Sequence, residues 1–265
     1  MPRGAEFELD PKTRRMLIRI GWAALFLTFL VVIISAVERK EGSRVAEVAI
    51  DIEPLPDGNS LLAEDDVRKA IELSFGYKLE GRTLLDIDVQ RLEKVLEDEP
   101  FILDAEALVN AHNVVELNIQ PREPILRVLD NDNRSYYLDR NGVQMPLSGH
   151  FTAKVLVVTG SLPAYDERFL QRKRNRLKDA FLLANLILKD EFLAPLTEQI
   201  YFDSRGEITL VPKLGEHTVE FGRFTHAEDK LRRLKIFYKE ALPYKGWQAY
   251  EEVSVAYEGQ VIGRK

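Results

Sequence analysis

Four histidines, His112, His150, His217 and His226, are the side chains most suited to proton transfer or metal ligation near neutral pH. No two stand three or four residues apart, so no helical metal pair is available. Asp86 and Asp88 are close enough to suggest paired carboxylates. They stand just before a predicted helix, however, where carboxylates cap backbone N–H groups and meet the positive end of the helix dipole. Cysteine is absent, which removes thiol catalysis and thiolate metal sites. No G-x-S-x-G, phosphate-binding loop or G-x-G-x-x-G occurs. The most basic run, Arg172-Lys173-Arg174-Asn175-Arg176, is interleaved with Leu170 and Leu177 and reads as the solvated face of a helix. His112 in a tight turn and His226 at a helix start read as solvated too. The inventory points to binding rather than catalysis, with no cofactor. The net charge of −6 argues against nucleic acid, which would want a basic face.

The elements begin with an apolar stretch. Ile20 to Val37 carries no charge, and a helix over 16–37 would be long enough for a hydrocarbon core of about 30 Å. It is longer than the 7–15 apolar residues of a cleaved signal, and Ile34-Ser35-Ala36 is a poor cleavage site. Arg3, Lys12, Arg14, Arg15 and Arg19 precede it, against Arg39, Lys40 and Arg44 after it. That bias keeps residues 1–15 in the cytoplasm as a tail and puts the rest outside.

From Val45 the pattern changes. Val48, Ile50 and Ile52 alternate as in a half-buried strand. Val67, Ala70, Ile71 and Phe75 recur at helical spacing, with Gly76 closing the helix. Val89, Leu92, Val95 and Leu96 mark a second helix with Asp88 as N-cap and Pro100 beyond its end. Strands follow at Ala105–Val109 and Val114–Ile119, turned at Ala111-His112-Asn113. Further on, Lys154–Gly160 reads as a buried strand and Asp166–Lys189 as one long helix. Strands at Gln199–Asp203, Glu207–Pro212 and His217–Gly222 come next. A helix over Ala227–Leu242 leads to a last strand, Glu252–Ile262. The fold class is α+β: a single N-terminal transmembrane helix, a βααββ module over 45–122, then a mixed β-sheet domain with two helices over 123–265.

The βααββ order is that of a POTRA module. The run from Leu92 through Pro100, Phe101 and Ile102 to Ala105 resembles a motif of such modules. So does the closing Val115-Glu-Leu117-Asn-Ile119-Gln-Pro121-Arg122-Glu123-Pro124-Ile125. A short tail, one span and one POTRA module is the layout of the bacterial division family FtsQ/DivIB, and Tyr137-Leu138-Asp139-Arg140-Asn141-Gly142-Val143 is similar to a later motif of it. His112-Asn113 departs from the family pattern. The resemblance implies a non-enzymatic scaffold in the cytoplasmic (inner) membrane with its bulk in the periplasm. It also implies FtsB-like and FtsL-like single-span partners, with other division proteins recruited by the POTRA surface. A different binding class, a POTRA-bearing chaperone or secretion component, is the alternative. Such proteins usually carry several POTRA modules in tandem or a β-barrel.

In that family the last strand and the preceding helix receive FtsB by strand addition. Tyr257 matches the strand tyrosine, and Arg223 the arginine after the glycine that precedes the helix. Glu252–Ile262 has neither Pro nor Lys, so as an edge it would be an open template. Val253, Val255 and Tyr257 are expected on the core face, and Glu252, Ser254 and Glu258 on the other. The partner-binding candidates are thus Glu252, Ser254, Val255, Ala256, Tyr257, Glu258 and Gly259 with Arg223, Arg232 and Lys235. Lys235 and Arg232 share a helical face with Lys239.

A reporter active only outside the cytoplasm should work when fused after Lys265, with the protein retained in carbonate-washed membranes. Release of a shorter soluble product would make residues 1–36 a cleaved signal.

Overall fold

The computed structural model describes residues 21–32, 43–132 and 134–265. Residues 21–32 are helical, and among the described residues no helix is long and apolar enough to cross a membrane. The rest of the expected 16–37 span, and the 1–15 tail, lie outside the described residues. The protein is mixed α+β, with a three-stranded and a nine-stranded sheet.

The first sheet has the order β1 (Glu47–Ile52), β3 (Val114–Pro121), β2 (Ile102–Val109), with β1 parallel and β2 antiparallel to β3. Helices α1 (Glu64–Phe75) and α2 (Val89–Glu97) bury Val67, Ile71, Leu92 and Leu96 against Val48, Ala105, Val115 and Leu117. The Asp88 carboxylate accepts from the Arg91 N–H, as capping requires. Gly76 ends α1 in the left-handed region at φ +75°. Ala63 has no side-chain acceptor, so α1 holds its start in another way: the Asp66 carboxylate reaches back to the Ala63 N–H. Half of a capping box survives without the N-cap hydroxyl.

The second sheet runs in the order β12, β11, β10, β9, β8, β7, β4, β5, β6. Its strands are β4 (Pro124–Leu129), β5 (Ser135–Asp139), β6 (Gln144–Met145), β7 (Leu156–Gly160), β8 (Thr197–Phe202), β9 (Ile208–Pro212), β10 (Thr218–Gly222), β11 (Glu252–Ser254) and β12 (Ile262–Arg264). Pairs β4–β7, β7–β8 and β10–β11 are parallel. The core packs α3 (Arg176–Leu188) and α4 (Ala227–Glu240) against inward residues such as Val128, Val158, Ile200 and Phe221. A last short helix, α5, spans Leu242–Lys245.

Two expected elements break. The long helix over 166–189 is a 3-10 turn at Phe169–Gln171 and then α3, so the basic run lies on the connection between them. Asn175 stops the run by accepting from the Leu177 and Lys178 N–H groups as N-cap. Arg176 turns back to donate to the Ser161 carbonyl and hydroxyl and to the Ser204 carbonyl. Arg172 pairs with Asp166. The last strand over 252–262 is instead a hairpin of β11 and β12, and β12 rather than β11 forms the sheet edge.

The two sheets meet across a seam of their own. Leu55 and Leu61, from the loop between β1 and α1, pack with Tyr137 and Met145 of the second sheet and with Ala153 on the connection from β6 to β7. The Ser148 hydroxyl donates to the Leu61 carbonyl at 2.6 Å, and His150 Nε2 lies 2.6 Å from the Asp66 carboxylate. The Arg122 guanidinium meets the buried Asp139 carboxylate at 3.1 Å.

Leu61 is 1% exposed, and its truncation to Ala should cost about 2–5 kcal/mol. Because it sits on the seam, residues 43–265 should unfold in one transition in both parent and variant, with coincident circular dichroism and tryptophan-fluorescence curves in urea. Two separated transitions would contradict a shared core.

Candidate functional site

Strands β10 and β11 are parallel, with Glu220 paired to Ser254, so their C-terminal ends lie side by side. The chain leaves β10 through Gly222, Arg223 and Phe224 and leaves β11 through Val255, Ala256 and Tyr257. Gly222 has φ +71°, and a Cβ there would sit 3.1 Å from the Ala256 Cβ. The two loops therefore touch at this point. Of the candidates, Arg223, Ala256, Tyr257, Glu258 and Gly259 gather here. Arg223 and Tyr257 are both exposed, and the Arg223 guanidinium donates to Glu207 at 3.2 Å.

The other candidates are placed differently. Val255 fills the core and Ser254 is fully buried between β10 and β12, so neither side chain is offered outward. Glu252 faces Arg264 across the hairpin at 2.6 Å. Tyr257 was expected on the core face with Val253 and Val255, but it stands 49% exposed because the chain has already turned. Gly259, at φ +71°, completes that turn.

The shared face of Arg232, Lys235 and Lys239 is covered in part by the chain after α3. Lys235 Nζ donates to Asp190 at 2.8 Å, and Lys239 Nζ lies 4.9 Å from the centre of the Phe192 ring. Burial works to raise the Asp190 pKa, but the Lys235 contact and the Phe192 and Leu193 N–H groups outweigh it and hold the pKa down. Arg232 bonds Asp229 on its own helix. Hydrogen bonds from Arg232 and Arg233 lower the Asp229 pKa.

The reading by residue type passed over Lys230 and Arg233, which are 4% and 9% exposed. Lys230 Nζ donates to the carbonyls of Phe221 and Arg223, each at 2.9 Å. The Arg233 guanidinium donates to the carbonyls of Val255, Tyr257 and Gln260 and to the Asp229 carboxylate. A signal was present: Lys230 lies within, and Arg233 at the margin of, the apolar face made by Ala227, Leu231, Leu234, Phe237 and Tyr238. A cation placed there needs buried acceptors.

The histidines do not converge on this place as a catalytic group. His112 and His226 are exposed, as expected, and His150 belongs to the seam. His217 is buried with Nε2 2.9 Å from the Tyr238 hydroxyl, and burial lowers its pKa. Asp88 caps α2, and among the described residues no group of three or more His, Asp or Glu side chains could hold a metal ion.

A family model described as FtsQ/DivIB, C-terminal related, matches residues 123–264. The chain belongs to this family. The match begins just before β4 and ends with β12, so it takes in the whole nine-stranded sheet and α3 to α5. Members of the FtsQ/DivIB family are non-enzymatic division scaffolds, and membership gives the chain a role in cell division among division proteins. A search of curated proteins returned no match.

Two substitutions separate shape from charge in this FtsQ/DivIB domain. Gly222→Ala forces an L side chain into the left-handed region against Ala256 and should cost about 1–2 kcal/mol. Arg223→Ala loses only an exposed ion pair and should cost about 0–1 kcal/mol. Urea titration of both proteins checks the order, and equal losses would contradict it.

Proposed function

We propose that this chain is a non-enzymatic scaffold of the division complex that docks an FtsB–FtsL-like coiled coil on the end of its nine-stranded sheet. Residues 16–37 anchor it in the cytoplasmic membrane, the bulk lies outside, and the POTRA-like module over 45–122 recruits further division proteins. The observation that carries this reading is the edge strand β12, lying beside two touching loops that carry exposed Arg223 and Tyr257. An extended partner segment added beside β12 would gain main-chain hydrogen bonds worth a net ~0.5–1.5 kcal/mol each. Exposed Arg223 would meet an acidic group on the partner's helix, which favours fast and correctly oriented encounter.

Because β11 is paired on both sides, a proline there would damage the fold before it informed on binding. The test therefore uses photo-crosslinking residues in the full-length chain. One replaces Arg264 on β12, and the other replaces Gln144 on β6 at the opposite edge. The partner should be the extracytoplasmic segment of an FtsB-like protein from the same cells. Capture is expected at Arg264, and Arg223→Glu should slow association several-fold more than it changes dissociation. Capture at Gln144 with none at Arg264 would defeat the proposal.

A further inference from the structure

Lys230 and Arg233 stand one turn apart on the inner face of α4, and neither is spent on a partner-facing contact. Each is buried, and each turns its donors onto the backbone of one of the two loops described above. Lys230 takes the carbonyls of Phe221 and Arg223, on either side of the left-handed Gly222. Arg233 takes those of Val255, Tyr257 and Gln260, across the turn made by Gly259. Two of the five carbonyls belong to Arg223 and Tyr257 themselves, the residues whose side chains point to solvent. The Asp229 carboxylate, one turn before Arg233, fixes its guanidinium at 2.9 Å.

We infer that Lys230 and Arg233 are positioning residues for the partner site, holding the Arg223 and Tyr257 loops as one preformed surface. The inference rests on the reading that these loops receive the partner. Its physical basis is that a loop held in one conformation before encounter loses less freedom on binding. The two cations suit different tasks. A lysine ammonium satisfies two converging carbonyls with one compact group, whereas the planar guanidinium spans three carbonyls around a turn and a carboxylate. The conservative exchanges are therefore unequal. Arg233→Lys keeps the charge but cannot reach all the acceptors. Lys230→Arg overfills a site 4% exposed.

The experiment uses the full-length chain and the FtsB-like segment as probe, with amide hydrogen exchange and binding kinetics read on the same proteins. The variants are Arg233→Met, Lys230→Met, Arg233→Lys and Asp229→Asn, alongside Arg223→Glu and Tyr257→Ala. If the inference holds, Arg233→Met speeds exchange across 255–261 and Lys230→Met across 222–226, while β7 and β8 keep their protection. Affinity then falls roughly tenfold, and Arg233→Lys recovers part of both protection and affinity. Asp229→Asn is the milder variant should Arg233→Met fail to fold, and it should loosen the same segment. Parent-level exchange at 255–261 and parent-level affinity in a folded Arg233→Met or Asp229→Asn would overturn the inference, even where Arg223→Glu weakens binding. If Arg223→Glu and Tyr257→Ala both leave binding intact, the site reading fails instead, and the exchange data show separately whether the loops are held.

Discussion

The end of the large sheet depends on a guanidinium that is almost wholly shielded from water. Once the chain leaves β11, its carbonyls turn under α4, where a buried acceptor without a donor costs about 1–3 kcal/mol. A helix can cover such a turn only by bringing donors with it. Arg233 supplies them, and Asp229 fixes the plane of the donor group. The turn so held is the one that carries the chain from β11 into β12 at the sheet edge. Lys230 performs the same service for the exit from β10. The charges of α4 that matter most to its surroundings thus face inward.

Carboxylates do the matching work at three hairpins. Asp130, Asp139 and Asp203 each follow or end a strand, and each accepts from the backbone N–H groups two and four residues on. This closes the β4–β5, β5–β6 and β8–β9 turns with one repeated device, the side chain standing in for a backbone acceptor. Asp139 adds a second duty. Its other oxygen takes Arg122, the residue just past the end of β3. A carboxylate so deeply buried is tolerable because both oxygens are occupied. The turn and the junction between the sheets are therefore set by one group.

Much of this was legible because it is local. Alternation at Val48, Ile50 and Ile52 and at Val115, Leu117 and Ile119 placed β1 and β3. Asp88 marked the start of α2, and Ala111-His112-Asn113 marked the turn between β2 and β3. What stayed hidden is non-local. The break before α3 comes from Asn175 together with Arg176 reaching Ser161 and Ser204. Val253, Val255 and Tyr257 alternate convincingly, yet the strand stops because Arg233 holds the carbonyls of Val255 and Tyr257 in a turn. Lys235 and Lys239 read as one basic helical face near the partner site, but Asp190 and Phe192 arrive from another part of the fold to meet them. The positions of Arg223 and Tyr257 came from family resemblance, and the structure brings their loops into contact. The cations that hold those loops were passed over by residue type, although their place beside the apolar face of α4 marked them.

The seam between the sheets has a mechanical meaning. Leu55 and Leu61 lie on the loop that β1 and α1 must close, and they are wedged against Tyr137, Met145 and Ala153, with the Ser148 and His150 contacts beside them. A joint packed in this way does not behave as a swivel. A pull or twist applied near residue 43 is carried through the three-stranded sheet into the nine-stranded one, and β12 swings with it as the tip of a stiff arm. What such an arm delivers is orientation: the angle at which its outer edge meets whatever lies alongside.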